Sequence, residues 1–379
     1  MVAVCFGLMT ATTWWVGAMA AGEKGTGTTV VFWNLENFFD FKDDGTGESD
    51  AEFSATGARR WTKARFYRKC HAVAKTILWA GMPDAVGVAE VENRFVLTQV
   101  VSKTALRKLD YEIVHFDSPD PRGIDCALLY RASRLTLVSA KPCRVGAHVA
   151  GDAAWGDDAV GEGLVASLRT RDILLAQFVT AAGDSLAVLV NHHPSKLGVD
   201  TDWRREVAVA RLRALGDSLA AAGWARIVAV GDFNDTPDNP LFARLAPAFS
   251  LCRQTKWMAS PSMVRDEGLF SEEGPTGRTF TRNGSAPPAR GTSRREPVGP
   301  SSEKTTGSIR FNGEWQLIDL CFVSPALADA ASFSVLEPPF LTERDAAHSG
   351  EKPLRTYSGP RYLGGVSDHR PILVRIAFP

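Results

Sequence analysis

No Cys-x-x-Cys pair occurs among the six cysteines, so a zinc ribbon or a thioredoxin-type redox site has no footing in this sequence. Charge of one sign is not in surplus either: Lys plus Arg and Asp plus Glu each number 43. A protein that holds nucleic acid by bulk charge shows a basic excess. Its absence excludes a polycationic binder but not a nuclease, because a metal ion and a local basic face can offset phosphate repulsion. Past the first twenty residues, no stretch approaches the roughly 20 apolar residues that span a bilayer. No solenoid-period repeat is visible. No aromatic array for stacking bases stands out, and Cys5 lies too early for a lipidation signal.

What is present is ordinary globular material, 45% apolar and 23% charged over 379 residues, enough for a sizeable core. Residues 1–20 are uncharged and apolar and end in Ala18-Met19-Ala20, an Ala-x-Ala cleavage pattern, with polar Gly22-Glu23-Lys24-Gly25 next. They read as a secretory signal peptide, with 21–29 a linker and 30–379 the functional domain. The expected location is secreted or periplasmic. No Lys or Arg precedes the apolar stretch, which keeps an uncleaved membrane anchor as the alternative. Cleavage would leave five cysteines, an odd number that argues against a disulfide framework. Cys126 and Cys321 lie in apolar runs and read as buried thiols.

Short apolar runs alternate with helical patterns, which indicates layered α/β architecture. Strands are expected at 30–33, 85–88, 126–130, 173–179, 186–190, 225–230, 318–323 and 371–376. A loop rich in Asp, Gly and Glu spans 40–50. Helical periodicity covers 58–79, whose Arg59, Arg60, Lys63, Arg65, Arg68, Lys69 and Lys75 read as a solvated face. A second helix covers 204–222, with Val207, Ala210, Leu212 and Leu215 as its apolar side. Residues 285–307 are rich in Pro, Ser, Gly, Thr, Arg and Lys, with little to bury, and read as a flexible surface loop.

The chemistry sits where strands end. Val30-Val31-Phe32-Trp33 runs into Asn34-Leu35-Glu36-Asn37, and Val86-Gly87-Val88-Ala89 into Glu90. Val188-Leu189-Val190 runs into Asn191-His192-His193-Pro194-Ser195-Lys196, and Val228-Ala229-Val230 into Gly231-Asp232-Phe233-Asn234-Asp235. Ser367-Asp368-His369 precedes the last strand, and Asp319 interrupts an apolar run. Each alone has a plain explanation: a strand-end carboxylate, a tight turn, a loop histidine, a turn cap. Buried ionisable groups are costly unless paired or metal-bound, so several strands delivering them together point to one shared site. Oxygen donors without cysteine select a hard cation, Mg²⁺ or Mn²⁺, over zinc.

That ordered series resembles the endonuclease/exonuclease/phosphatase superfamily, with the fold of deoxyribonuclease I. It is most similar to bacterial members with a Trp-Asn-Leu-Glu-Asn start, Arg-Gly-x-Asp (Arg122 to Asp125), Thr-Arg-Asp-Ile-Leu (Thr170 to Leu174) and Asn-His-x-Pro-Ser-Lys. The resemblance implies a four-layer α/β/β/α sandwich with two central mixed β-sheets, and makes 30–379 a catalytic domain. It implies that Glu90, Asn34 and Asp368 serve the metal. It implies that Asp232 orients or deprotonates the attacking water, that Asn234 positions it, and that His369 contacts the scissile phosphate with Asp319 as its orienting partner. His192 matches a second histidine position. His193, where relatives often carry Trp, and Leu320, where many carry His or Tyr, depart from the pattern and touch substrate contacts more than the hydrolytic core.

The expected function is Mg²⁺-dependent hydrolysis of phosphate esters by a secreted or periplasmic nuclease or phosphodiesterase. The alternatives are a phosphatase of lipid or sugar phosphates and a catalytically silent binding protein on the same scaffold. The partner is a phosphate-ester substrate, DNA or RNA among them; no obligate protein partner is evident and the chain reads as a monomer. The leader yields a direct prediction. Mass spectrometry of protein from its native source should find the mature N-terminus at Ala21. An intact Met1 on soluble protein would contradict export by cleavage.

Overall fold

The computed structural model describes residues 27–146, 168–196, 202–256 and 307–378. The leader at 1–20, most of the 21–29 linker and nearly all of the 285–307 segment lie outside the described residues. In chain order the strands of the first half are Gly27–Phe38 (β1), Ala85–Val91 (β2), Tyr111–His115 (β3), Asp125–Arg131 (β4), Leu135–Cys143 (β5), Ile173–Thr180 (β6), Ser185–His192 (β7) and Ile227–Asp232 (β8). They are followed by Ser250–Leu251 (β9), Arg253–Gln254 (β10), Ile309–Phe311 (β11), Glu314–Gln316 (β12), Asp319–Val323 (β13), Ala331–Val335 (β14), Thr342–Arg344 (β15), Glu351–Pro353 (β16), Tyr357–Ser358 (β17), Arg361–Tyr362 (β18) and Ile372–Ala377 (β19). The helices are Lys63–Trp79 (α1), Arg94–Ser102 (α2) and Asp202–Ala221 (α3).

Two mixed sheets form the centre, in the orders β10-β14-β19-β1-β2-β4-β3 and β5-β6-β7-β8-β13-β9. Their inner strands are near-continuous apolar runs because both faces are covered. Val30 and Phe32 of β1 and Leu128 of β4 meet Phe178, Val188, Val190 and Val230 of the second sheet in a buried layer between the sheets. The opposite face of the first sheet packs Trp33, Val86 and Val88 against Phe66, Val73 and Ile77 of α1 and Val96 and Val100 of α2. The outer face of the second sheet packs Leu189 and Ala229 against Val207, Leu212 and Leu215 of α3. The layers therefore run helix, sheet, sheet, helix, as the resemblance implied. No helix of the described residues is long and apolar enough to cross a membrane.

Helix starts follow local capping. Thr62 Oγ1 accepts the Arg65 N–H, so α1 begins at Lys63 and the periodic stretch 58–62 stays outside it. Asn93 caps α2 by accepting the Val96 N–H at 3.1 Å. On α3 the buried face includes Ala208 and Val209, while Ala210 is only half-buried, which corrects the expected apolar side. Lys69 is a larger correction. It lies fully inside rather than on a solvated face, with 2% exposure. The five cysteines of the described residues are all buried and free.

Two features of the sheets aim the site. The β1–β2 ladder pairs Asn34 with Ala89 and next Phe38 with Val91, and the β2–β4 ladder passes from Ala89–Cys126 to Val91–Asp125. Glu90 is thus a bulged residue in both ladders, with φ of 60°. Bulges beside functional sites re-aim a side chain at some cost in strain. In the second sheet, Gly231 faces Asn191 across the parallel β7–β8 pair. A Cβ at Gly231 would lie 2.4 Å from the Asn191 carbonyl oxygen, so only glycine lets these strand ends close. Gly231→Ala should therefore lower unfolding stability by about 1–3 kcal/mol, the usual scale of core overpacking. Denaturant unfolding tests it; an unchanged midpoint would show that the strands move apart freely.

Candidate active site

Strand register alone assembles one row of ionisable groups. His192 pairs with Asp232 in the parallel β7–β8 ladder, and Asp232 pairs with Asp319 in the antiparallel β8–β13 ladder. Two carboxylates opposite each other in a buried sheet repel. His369, entering just before β19 of the other sheet, relieves this. Its Nδ1 lies 2.7 Å from Asp319 Oδ2 and its Nε2 3.8 Å from Asp232 Oδ2. Its backbone is fixed twice: the His369 N–H donates to Ser367 Oγ at 2.9 Å, and Trp33 Nε1–H donates to the His369 carbonyl at 2.9 Å. Ser367 Oγ–H donates in turn to the Asn34 carbonyl at 2.6 Å, tying this segment to β1.

The electrostatics follow from that packing. Burial opposes charge on His369, but Asp319, then Asp232, outweigh it and hold the imidazolium well above the ordinary histidine range. Burial raises the Asp232 carboxyl to about 7; His369 acts against this and Asp319 adds to it. The N–H groups of Asn234 (2.9 Å to Oδ1) and the Asn34 amide (3.0 Å to Oδ2) donate to Asp232. His192 is buried, so desolvation, followed by Arg171 and Arg122, pushes it well below its ordinary value and keeps it neutral. Its Nε2 stands 3.7 Å from Asp232 Oδ2 and 3.8 Å from Glu90 Oε1.

Glu90 forms the second half of the site. Its Oε2 accepts the Asn37 N–H at 2.7 Å and lies 3.6 Å from Arg122 Nη2. Arg122 also donates to Asn37 Oδ1. Asp368, a quarter exposed, pairs with Arg355 at 2.9 Å. Arg355 also holds Glu36, whose Oε2 accepts the Thr356 N–H at 2.9 Å. Burial, and next Asp368, raises Glu36 to about 7. Below them the Lys69 ammonium donates to the Glu36 carbonyl at 2.8 Å and to Thr356 Oγ1 at 2.9 Å. Burial lowers Lys69 to about 8, against the pull of Glu36, Glu90 and Asp368.

All eight residues anticipated from the sequence, Asn34, Glu90, His192, Asp232, Asn234, Asp319, Asp368 and His369, therefore converge on the joined ends of the two sheets. Asn234 is engaged structurally as well, its Nδ2–H donating to the His193 carbonyl at 2.9 Å. Glu36, Lys69, Arg122 and Arg355 were missed as site residues. Glu36 and Arg122 sit inside motifs that were read; Lys69 and Arg355 carry no local signal. His193 points away from the site, buried against Phe233 with ring centroids 4.6 Å apart. Burial, then Arg171 and Arg205, lowers it to about 3, so it packs as a neutral ring.

At this end of the sheets two groups could hold a cation. Asp232, Asp319 and His369 bring ligand atoms within 4.8 Å of one another. There, however, all three groups are buried and His369 Nδ1 is already bonded to Asp319 at 2.7 Å. The flank of Glu90, Asp368 and Asn34 fits better: its donors are oxygens, its carboxylates are partly exposed, and Asp368 comes no nearer the triad than 4.0 Å from His369 Nε2. Such a set suits a hard divalent cation.

A sequence profile of the Endonuclease/Exonuclease/phosphatase family matches residues 29–261 and 293–378. The chain belongs to this family. Its members hydrolyse phosphoesters and generally use divalent metals. No match emerged among curated protein sequences. Among solved structures, a family member from Bacteroides thetaiotaomicron is 15% identical, with 94% of this chain and 99% of that one covered and a TM-score of 0.51. A mannosyl-6-phosphatase from the same organism is 14% identical, with 93% and 100% covered and a TM-score of 0.50. Truncated TDP2 of Caenorhabditis elegans is 14% identical, with 93% and 98% covered and a TM-score of 0.50. At this identity the likeness is one of fold.

The His369–Asp319 pair gives a pH prediction. A histidine raised above its unfolded value contributes stability that is complete below the unfolded pKa of about 6.5 and is lost as pH rises through the folded value. The His369 ring proton signals in NMR should therefore not titrate between about pH 5 and 8, and in Asp319→Asn they should titrate within or below that window. Titration of native His369 near its ordinary value would contradict an imidazolium held by Asp319.

Proposed function

We propose that this chain is a Mg²⁺-dependent hydrolase acting as a nuclease or phosphodiesterase, working outside the cytoplasm after export. The observation that carries the chemistry is the geometry of one buried row: Asp232 Oδ2, on a carboxyl that burial raises to about 7, stands 3.8 Å from Nε2 of His369, whose Nδ1 is bonded to Asp319 at 2.7 Å. A base whose pKa lies near working pH accepts a proton from water most effectively. Asp232 takes that proton, and Asn34 and the Asn234 N–H keep its oxygens aimed. Asn234 helps seat the water. His369, oriented by Asp319, donates to the ester oxygens and stabilises the charge that develops there. Neutral His192 supplies a further hydrogen bond to the phosphate. Glu90, Asn34 and Asp368 would hold the cation, whose contribution is to neutralise a non-bridging phosphate oxygen. No side chain becomes a covalent nucleophile.

The second reading is a phosphatase of lipid or sugar phosphates. Balanced charge, 43 basic against 43 acidic residues, favours it over a polyanion. Rates with Mg²⁺ on DNA, RNA, a generic phosphodiester, phosphoinositides and sugar phosphates separate the two. Preference for a monoester would overturn the nuclease reading and keep the hydrolase.

Kinetics of variants test the mechanism. Asp232→Asn and His369→Ala should each lower kcat by at least ~10², the scale of general acid–base catalysis. Glu90→Gln should weaken cation affinity, with partial rescue at high Mg²⁺, and chelation should abolish turnover. Adding Asp319→Asn to His369→Ala should cost little beyond His369→Ala alone, because residues acting as a unit are non-additive. Near-native kcat in a well-folded Asp232→Asn would end the assignment; so would full turnover in excess chelator.

A further inference from the structure

The loop after β1 carries five acidic residues between positions 40 and 50, Asp40, Asp43, Asp44, Glu48 and Asp50, against one basic residue, Lys42. None belongs to the site described above. Asp44, Asp50 and Glu92, the last just past β2, each place a carboxylate oxygen within 4.8 Å of the others. An acidic cluster alone proves nothing, since exposed carboxylates gather without an ion. Here Asp44 is exposed, but the carboxylates beside it are buried. Asp50 and Asp40 are each 1% exposed, and Asp50 Oδ1 and Asp40 Oδ2 have no hydrogen-bond partner. The other oxygen of Asp50 accepts the N–H groups of Asp44 at 2.8 Å and Gly45 at 2.6 Å, which fixes the carboxylate in the loop. Lys42 Nζ is 3.9 Å from Asp40 Oδ2, too far to satisfy it. Partial burial, and then Asp40 and Asp50, raises the Asp44 carboxyl above its ordinary value. A buried carboxylate oxygen with no donor is expensive, and several facing one another are more so.

We propose that Asp44, Asp50 and Glu92, with the buried Asp40 carboxylate adding charge nearby, form a second cation site, suited to Ca²⁺ and separate from the catalytic flank. Calcium takes six to eight oxygens from flexible loops, whereas magnesium keeps its waters and needs one or two carboxylates. Glu92 is preset for the role: Thr46 Oγ1–H donates to its Oε1 at 2.6 Å and the Asp40 N–H to its Oε2 at 2.7 Å, each oxygen keeping a lone pair. The loop also bears on the site. The Glu48 N–H donates to the Pro121 carbonyl at 2.8 Å. A Cβ on Gly47 would fall 2.5 Å from the Gly123 nitrogen. The ion thus braces the turn that presents Arg122 to Glu90 and Asn37.

The test uses the full chain, stripped with chelator and titrated with CaCl₂ alone, followed by thermal unfolding and by trypsin cleavage after exposed Lys42. Ca²⁺ at about 0.1–1 mM, the weak end of loop-site affinities, should raise Tm and slow that cleavage. Glu90→Gln should respond as the parent does. Asp44→Asn, at an exposed position, should fold normally and need at least ~10-fold more Ca²⁺, as should Asp50→Asn if it folds. No response to Ca²⁺, or a response lost in Glu90→Gln and intact in Asp44→Asn, would overturn the site. Neither result depends on turnover, so the hydrolase reading stands or falls separately.

Discussion

The contact on which the rest depends is the buried imidazolium of His369 between Asp319 and Asp232. Without it, two strands of the second sheet would place carboxylates opposite each other with 0% and 2% exposure. Breaking one partner of a buried charge pair typically costs about 3–5 kcal/mol, because the remaining charge is stranded. The histidine comes from the other sheet. One residue therefore does two jobs: it neutralises a strand pair, and it staples the open end of the sandwich. Asp319 Oδ1 has no hydrogen-bond partner among the described residues, so even the satisfied pair keeps some unmet cost. That residual is consistent with a site built for reactivity rather than for stability alone.

Around this pair the backbone does the aiming. Glu36, Asn37, Glu90 and Asn234 all adopt left-handed φ, between 47° and 60°. Such conformations are unfavourable for residues other than glycine and persist where surrounding contacts over-determine them. The contacts are visible: Glu36 is held by Arg355 and Thr356, Glu90 by Asn37, Asn234 by His193. Lys69 supports the group from beneath, its ammonium inside the protein between the rings of Phe38, 5.0 Å away, and Trp61, 5.9 Å away. A lysine is tolerated there because three acidic side chains and two oxygen acceptors offset its desolvation.

Much of this was legible in the sequence. A strand in a covered sheet is a run of apolar residues, and a polar residue that ends it must lie at the sheet's rim. The rims of the strands, with Asp319 as an interruption inside an apolar run, carry the residues that the fold brings into one row. Glu36 escaped because a strand-end carboxylate next to Asn34 looks solvated until Arg355, some 320 residues away, is folded onto it. Lys69 escaped because seven basic residues at 58–79 have the look of an outer face, and period cannot tell which one turns inward. The edge strands β3 and β5 were passed over for a related reason. On β5 the exposed and half-buried residues outnumber the buried ones, so it lacks the apolar run that marked its neighbours. Asp235, read with Asp232 as one motif, turned out to differ in kind: Lys196 and Asn239 donate to it at 2.6 and 2.7 Å, and it pins the loop rather than facing the site.

The division between the two halves of the site explains why one framework can serve different esters. The row of His192, Asp232, Asp319 and His369 is fixed by strand register and by the closing of two sheets, and loss of Asp232, Asp319 or His369 would strand a buried charge. The flank of Glu90, Asp368, Arg122 and Arg355 is held by bulges, loops and partly exposed ion pairs, which are worth less and tolerate change. In the proposed mechanism, chemistry common to all phosphate esters, proton transfer and charge stabilisation, falls to the rigid row. Recognition of what lies beyond the phosphate must use the softer flank and the loops around it. A change of substrate would then be expected to alter residues near Arg122 and Arg355 while leaving the register of β7, β8 and β13 untouched, since a one-residue slip there would turn His192, Asp232 and Asp319 away from one another at a stroke.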